Sequence, residues 1–229
     1  MKRWKWTRGF FVVGLLLSTW AWAGQKTGIE ANLSATPGMV DASVKVPELK
    51  VELKYSTADN FIGKDVYGDM ERCYLQADAA AMLAKAAAVL KRIRPELSLL
   101  AYDCVRPVSV QRQMWKVVKG TKMQGYVANP NSKTGSIHNY GCAVDLTLAD
   151  PQGKPLDLGT AFDFFGKAAQ PRHELSLLRA GKLTEPQVAN RLLLRYVMTE
   201  AGFQPISSEW WHFNCASPSQ TRRKYKKVP

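Results

Sequence analysis

Histidine is scarce in this sequence: 3 residues in 229, namely His138, His173 and His212. Chemistry that needs an imidazole must use one of those positions. None of the 4 cysteines forms a CxxC pair, which excludes zinc-ribbon and dithiol-redox motifs. Beyond residue 23 no stretch is long and apolar enough to span a bilayer. The Ala-rich run from Ala77 to Leu90 carries Asp78 and Lys85 and reads as an amphipathic helix, so a soluble protein is expected. There is no internal repeat and no regular βαβ alternation, which argues against repeat arrays and doubly wound parallel sheets. Acidic residues are few, 19 against 32 Lys and Arg, for a formal charge of +13. That balance favours anionic surfaces such as envelope polymers or lipid headgroups. No helix-turn-helix or RNA-recognition signature accompanies it, so nucleic acid is not the expected partner.

The N-terminus reads as a targeting segment. Lys2, Arg3, Lys5 and Arg8 form a basic start, Gly9 to Trp20 is an apolar run of roughly a dozen residues, and Ala21-Trp22-Ala23 places small residues where a signal peptidase cuts. Residues 1–23 are therefore expected to be a signal peptide, leaving a periplasmic or secreted chain that starts at Gly24. An uncleaved anchor is the alternative. No cysteine follows the cut, so no lipid anchor is expected. In an exported chain, Cys73, Cys104, Cys142 and Cys215 point to two disulfides with three possible pairings.

Residues 24–48 are polar and rich in small residues, and they predict an extended or poorly ordered arm. Residues 49–216 form the folded domain, and residues 217–229 a basic tail carrying Arg222, Arg223, Lys224, Lys226 and Lys227. Two readings of the tail stand: a solvated charge run, or peripheral contact with an anionic envelope. Strands are expected at Leu49–Leu53, Arg72–Leu75, Leu97–Cys104, Gly141–Leu148 and Trp210–Asn214. Helices are expected at Asp78–Arg94, at Ser109–Val118 with Ser109 as N-cap, and at Thr184–Ala201 with Thr184 as cap and Pro186 in the first turn. The pattern is α+β, with a central, mostly antiparallel sheet flanked by helices.

Two of the histidines sit in suggestive company. His138 and Asp145 lie seven residues apart around Gly141, and His212 follows Glu209 by three. A zinc centre with an open coordination position uses about three protein ligands, commonly imidazole and carboxylate. Gly141 would let the backbone turn and approach a neighbouring segment closely. A carboxylate three residues before a ligand can sit beside the open position and take a proton from water. A lone histidine is more often structural, and Asp145 alone fits a hydrogen-bonded core carboxylate equally well. His173, in Pro171-Arg-His-Glu174, reads as a surface or structural residue.

The ordered motifs narrow these alternatives. Ser136-x-His138-x-x-Gly141-x-Ala143-x-Asp145 followed by Glu209-x-x-His212 resembles the paired signature of zinc D,D-peptidases related to Hedgehog domains. Tyr102-Asp103-Cys104-Val105-Arg106-Pro107 resembles a segment of the VanX-type D-alanyl-D-alanine dipeptidases within that family. Tyr55-x-Thr57-x-Asp59-Asn60-Phe61-x-Gly63 and Gly159-Thr160-x-Phe162-Asp163 resemble further segments of the same subfamily. The likeness runs from about Val51 to Asn214. It implies one zinc ion on His138, Asp145 and His212, with Glu209 as catalytic base and Arg106 stabilising the transition state. The implied substrate is a small zwitterionic dipeptide. Asp145 or Glu209 is expected near its ammonium, and Ser136 and Tyr55 near its carboxylate. The loop from Asn60 to Gly68 is expected to restrict the pocket to short peptides.

If the strands bearing Asp145 and His212 are antiparallel neighbours with these residues opposite, Cys142 falls opposite Cys215. Cys142–Cys215 and Cys73–Cys104 are then the expected disulfides. Two alternatives remain: a D,D- or L,D-carboxypeptidase acting on longer peptidoglycan stems, and a non-catalytic, zinc-stabilised envelope-binding domain. Glu209 and Arg106 argue against the second, because a structural zinc needs neither.

Overall fold

The computed structural model describes residue 1 and residues 28–229, so the expected signal segment and its cleavage site lie outside the described residues. In chain order the elements are α1 (Ile29–Ser34), β1 (Met39–Asp41), α2 (Ala42–Lys45), β2 (Lys50–Val51), β3 (Tyr74–Gln76), α3 (Ala77–Ile93), β4 (Ser98–Asp103), α4 (Val108–Val118), β5 (Ala143–Ala149), α5 (Glu174–Arg179), α6 (Glu185–Glu200), β6 (Gln204–Pro205), β7 (His212–Asn214) and α7 (Pro218–Lys224). A five-stranded sheet in the order β2-β4-β5-β7-β6 forms the centre. All its pairings are antiparallel except β2 with β4. This is the α+β arrangement expected from the sequence.

The central strands β4 and β5 are almost wholly buried, which is why they read as near-continuous apolar runs. Helix α3 packs against β4 and α6. Its buried residues Ala79, Ala80, Leu83, Ala86, Ala87 and Leu90 recur at helical spacing, so one stripe faces the core. Truncating a fully buried leucine such as Leu83 to alanine would cost about 2–5 kcal/mol. Helix α6 starts with Thr184 accepting from Gln187 N–H while the Gln187 side chain returns to Thr184, a reciprocal cap with Pro186 in the first turn. Among the described residues no helix is long and apolar enough to cross a membrane.

Four expectations change. The arm at 24–48 is not extended: from residue 29 it forms α1, β1 and α2, with Leu33, Ala42 and Val46 buried, and β1 pairs antiparallel with β3. Each of these elements is too short to display a hydrophobic period, which hid them in the sequence. Helix α4 starts one residue early, at Val108, so Ser109 lies inside it instead of capping it. The basic tail is not solvated throughout. Its residues 218–224 form α7 with Ser217 as cap, Thr221 is buried, and Val228 reaches the core. The strand expected at Leu49–Leu53 shrinks to Lys50–Val51, because the chain turns at Lys54–Ser56 and carries Tyr55 inward.

Disulfides join Cys73 to Cys104 and Cys142 to Cys215, with Cα separations of 5.3 and 5.1 Å. Both are the expected pairs. Asp145 lies opposite His212 in the β5–β7 ladder, which is the register that brings Cys142 and Cys215 together.

Candidate active site

The sheet register assembles the site. Asp145 on β5 faces His212 on β7 across one ladder and Asp103 on β4 across the other. The second pairing depends on a bulge: Ala101 pairs with Leu146, but Asp103 pairs with Asp145, so Tyr102 is the extra residue. In an unbroken ladder Tyr102 would oppose Asp145 and Asp103 would fall on the other face. The bulge re-aims Asp103 into the same row as Asp145 and His212.

His138 reaches that row from the turn Ile137–Tyr140, which follows Ser136. The Ser136 hydroxyl accepts from the His138 N–H at 3.3 Å, and Asn139 Oδ1 accepts from Ser136 N–H at 2.9 Å. The turn closes on Gly141, whose φ of +66° is left-handed. A Cβ there would lie 2.9 Å from Met39 Sδ and 3.3 Å from Gln76 N. This is the close approach expected of that glycine, and both φ and space exclude a side chain.

The three candidate ligand atoms converge. His138 Nε2 lies 3.1 Å from His212 Nδ1 and 3.2 Å from Asp145 Oδ1, and His212 Nδ1 lies 2.9 Å from the same Oδ1. Among the described residues this set is the cluster able to hold a metal ion, and all three members are buried. The far ring nitrogens test the fit. His138 Nδ1 is 2.6 Å from the Cys104 carbonyl, and His212 Nε2 is 2.9 Å from Asn214 Oδ1. Each acceptor calls for a proton on the nitrogen beside it. The opposite nitrogens, His138 Nε2 and His212 Nδ1, are left as lone pairs aimed at one point. Two neutral imidazoles and one carboxylate are a donor set that fits a divalent metal.

Around this point lies a cavity of about 300 Å³ whose lining includes Tyr55, Arg106, Ser136, Asp163, Glu209 and the three candidate ligands. Arg106 is buried and fixed on one side: its Nε donates to Asp103 Oδ2 at 2.8 Å, Nη2 also meets Asp103, and Nη1 donates to Gln111 Oε1 at 3.1 Å. Nη2 is also 3.5 Å from Asp145 Oδ2, so the guanidinium sits between two carboxylates. Asp103 accepts further bonds from the Tyr67 hydroxyl and Cys104 N–H. Burial, with Asp145 and Asp163 nearby, pushes Glu209 up to about 7 against the pull of His212. Asp163 also rises to about 7, through burial and then the Asp145 charge, although a bond from Tyr55 opposes the rise.

The sequence places Tyr55 near the substrate carboxylate. Here its hydroxyl donates its one hydrogen to Asp163 Oδ2 at 2.8 Å. Asp163 itself was not singled out, although it ends one of the quoted motifs. Among the described residues it is the non-glycine with positive φ, +58°. That uncommon conformation holds the carboxyl against Tyr55 and the cavity. Thr160, in the same motif, accepts from Trp210 Nε1 at 2.8 Å and ties this loop to the Glu209–His212 segment. Asp103 was visible only as a motif letter. His173 is half-buried in the turn Pro171–His173 and does not belong to the metal cluster.

The cavity rim is aromatic. Phe61, Tyr126 and Phe165 come from three separate loops. Phe165 meets Phe61 at 5.1 Å between ring centres and stacks on Tyr126 at 5.0 Å. Tyr55 makes an edge contact with Phe61 at 6.1 Å.

Comparison with known proteins agrees along most of the chain. A family model described as D-ala-D-ala dipeptidase matches residues 35–229. A D-alanyl-D-alanine dipeptidase of Escherichia coli (strain K12) is 39% identical over 181 residues, covering 79% of this chain and 86% of that protein. One of Enterococcus faecium is 30% identical over 182 residues, covering 71% of this chain and 83% of its own length. One of Synechocystis is 30% identical over 160 residues, covering 58% and 65%.

Proposed function

The chain belongs to the D-alanyl-D-alanine dipeptidase family of metal-dependent peptidases, and from that membership we propose that it hydrolyses the D-alanyl-D-alanine dipeptide with one zinc ion held by His138, Asp145 and His212. The observation that carries the reading is the meeting of those three ligand atoms in a cavity also lined by Glu209 and Arg106. Zinc suits two imidazoles and a carboxylate with a position left open. Bound there, it would acidify a water molecule and polarise the peptide carbonyl.

The chain's own residues do the rest. Glu209 accepts a proton from the attacking water and passes it to the leaving nitrogen as the C–N bond breaks and the C–O bond forms. Arg106, held by Asp103, directs its positive charge at the oxygen that becomes anionic. Asp145 and, in its ionised form, Asp163 supply negative charge for the substrate ammonium. The Ser136 hydroxyl accepts from His138 N–H, so its own hydrogen is available to the substrate carboxylate. Tyr55 holds Asp163 in place. At about 300 Å³ the cavity is at the small end of ligand pockets, roughly 300–1,000 Å³, which favours a dipeptide over a peptidoglycan stem.

The signal peptide is cleaved after Ala23 in this reading, and the enzyme acts in the periplasm or outside the cell. Two disulfides support an oxidising compartment. The exposed Arg223 and Lys226 give the basic tail a surface for anionic envelope. One assay separates the readings. Zinc-loaded protein is incubated with free D-Ala-D-Ala and with a stem pentapeptide, and released D-Ala is measured. Turnover of the dipeptide alone is expected. Pentapeptide turnover points to a carboxypeptidase, and no turnover of either to a non-catalytic domain.

A further inference from the structure

The segment after α7 makes a set of backbone bonds that the proposed chemistry does not use. Val228 N–H donates to the Asn139 carbonyl at 2.7 Å, and the Val228 carbonyl accepts from Val108 N–H at 2.9 Å. Asn139 follows the candidate ligand His138, and Val108 lies two residues beyond Arg106. The same two sites are joined directly: Arg106 N–H donates to the His138 carbonyl at 3.0 Å, and Asn139 Nδ2 donates to the Arg106 carbonyl at 2.8 Å. Val228 thus closes a ring of main-chain bonds through His138, Arg106, Val108 and Asn139.

Local chemistry explains why Val228 can do this. Pro229 follows it, which disfavours helix at Val228 and leaves its N–H and C=O free to bond to other segments. Helix α4 has no side-chain cap, so the orphan N–H of Val108 takes the Val228 carbonyl instead. The Val228 side chain is buried, which seats the segment. The flanking cations grip the same turn region: Lys227 Nζ reaches the Ser132 carbonyl at 3.3 Å, and Arg222 bonds Thr134 Oγ1. On the far side Thr221 packs on Cys142 of the Cys142–Cys215 disulfide.

We propose that Val228 is a positioning residue: its main-chain N–H and C=O fix the His138 turn against the strand end that carries Arg106, and so set the geometry of the metal ligand and the oxyanion-facing cation together. The inference rests on the zinc reading of the site. It gives the basic segment a task inside the molecule.

The test separates backbone from side chain. Val228→Pro removes the N–H donor, and Val228→Ala keeps it while shrinking the buried side chain. Zinc affinity is measured by chelator competition on folded protein, and kcat and KM at saturating zinc. Val228→Pro is expected to weaken zinc binding about 10–100-fold, the range typical when a ligand's outer partner is lost, and to lower kcat at saturating zinc. Val228→Ala is expected to lower Tm with zinc affinity within about threefold, since the donor that would tune the ligand survives. Equal affinity in wild type and Val228→Pro overturns the proposal, and so does equal loss in both variants. Amide hydrogen exchange of the wild-type chain needs no variant. If the segment and the metal site are coupled, zinc must slow exchange at Val228 and Val108, because coupling is reciprocal. Unchanged exchange at both amides overturns the proposal. Wild-type protein that binds no zinc overturns instead the reading of the metal site.

Discussion

The floor of the cavity and its rim are held by different means. On the floor, Asp103, Asp145 and His212 are set by ladder register across three strands, His138 by a capped turn, and the strand ends by two disulfides. At the rim, Phe61, Tyr126 and Phe165 meet through ring contacts between three loops. Main-chain hydrogen bonds have narrow geometry, so they place ligand atoms within tenths of an ångström. Ring packing is tolerant in angle and distance, so it bounds a volume without fixing an atom. On the proposed function, the contrast puts chemistry at the floor and substrate size at the rim, a division that variants of the two regions test.

The largest effect is expected at the floor, from Glu209→Ala. Loss of the proposed general base should lower kcat by roughly 10²–10⁴-fold, and zinc content should stay at one per chain because Glu209 lies outside the candidate ligand set. Rate and metal content measured together check both halves. Arg106→Ala is expected to lower kcat by about 10²–10³-fold, the usual cost of a lost oxyanion donor. Asp103→Asn should cost less, on the order of tenfold, because Arg106 stays charged but loses its main anchor. If Asp103→Asn equals Arg106→Ala, Asp103 does more than aim the arginine.

Phe165→Ala probes the rim. Zinc affinity should hold, KM for the dipeptide should rise severalfold, and the ratio of tripeptide to dipeptide turnover should rise. A loss of zinc in this variant would erase the distinction between floor and rim. The smallest effect concerns pH and the metal-free protein. Asp163 and Glu209 have ordinary values of 3.8 and 4.5 and are raised to about 7 in the fold, so the folded state holds more protons than the unfolded one between those limits. Their contribution to stability is complete below pH 4 and lost as pH rises through 7. Tm of the metal-free protein should therefore fall by a few degrees between pH 5 and pH 8 in a thermal melt. A rise over that range would contradict the assignment of both carboxyls.

Much of the floor was legible because its residues carry local signals. His138, Gly141 and Asp145 form one short motif, Glu209 and His212 another, and opposite placement of Asp145 and His212 led to the Cys142–Cys215 pair. The role of Asp103 was not legible. It depends on a bulge at Tyr102, and a bulge leaves no mark in a strand whose residues are buried on both faces. Asp163 was hidden for a related reason, since its positive φ is a backbone property that aspartate seldom advertises. Residues 29–45 escaped because elements of three to six residues are too short to show a period. In the basic tail Arg222, Arg223, Lys224 and Lys226 are exposed as a charge run suggests, but the docking goes through the Val228 main chain, which composition does not mark.

The central claim is that His138, Asp145 and His212 hold one zinc ion. Anomalous diffraction at the zinc edge, from crystals of the zinc-loaded protein, tests it most directly. The account predicts a single peak about 2.0–2.2 Å from His138 Nε2, Asp145 Oδ1 and His212 Nδ1. A peak bonded to other residues, or none at these three atoms in fully loaded protein, would contradict it.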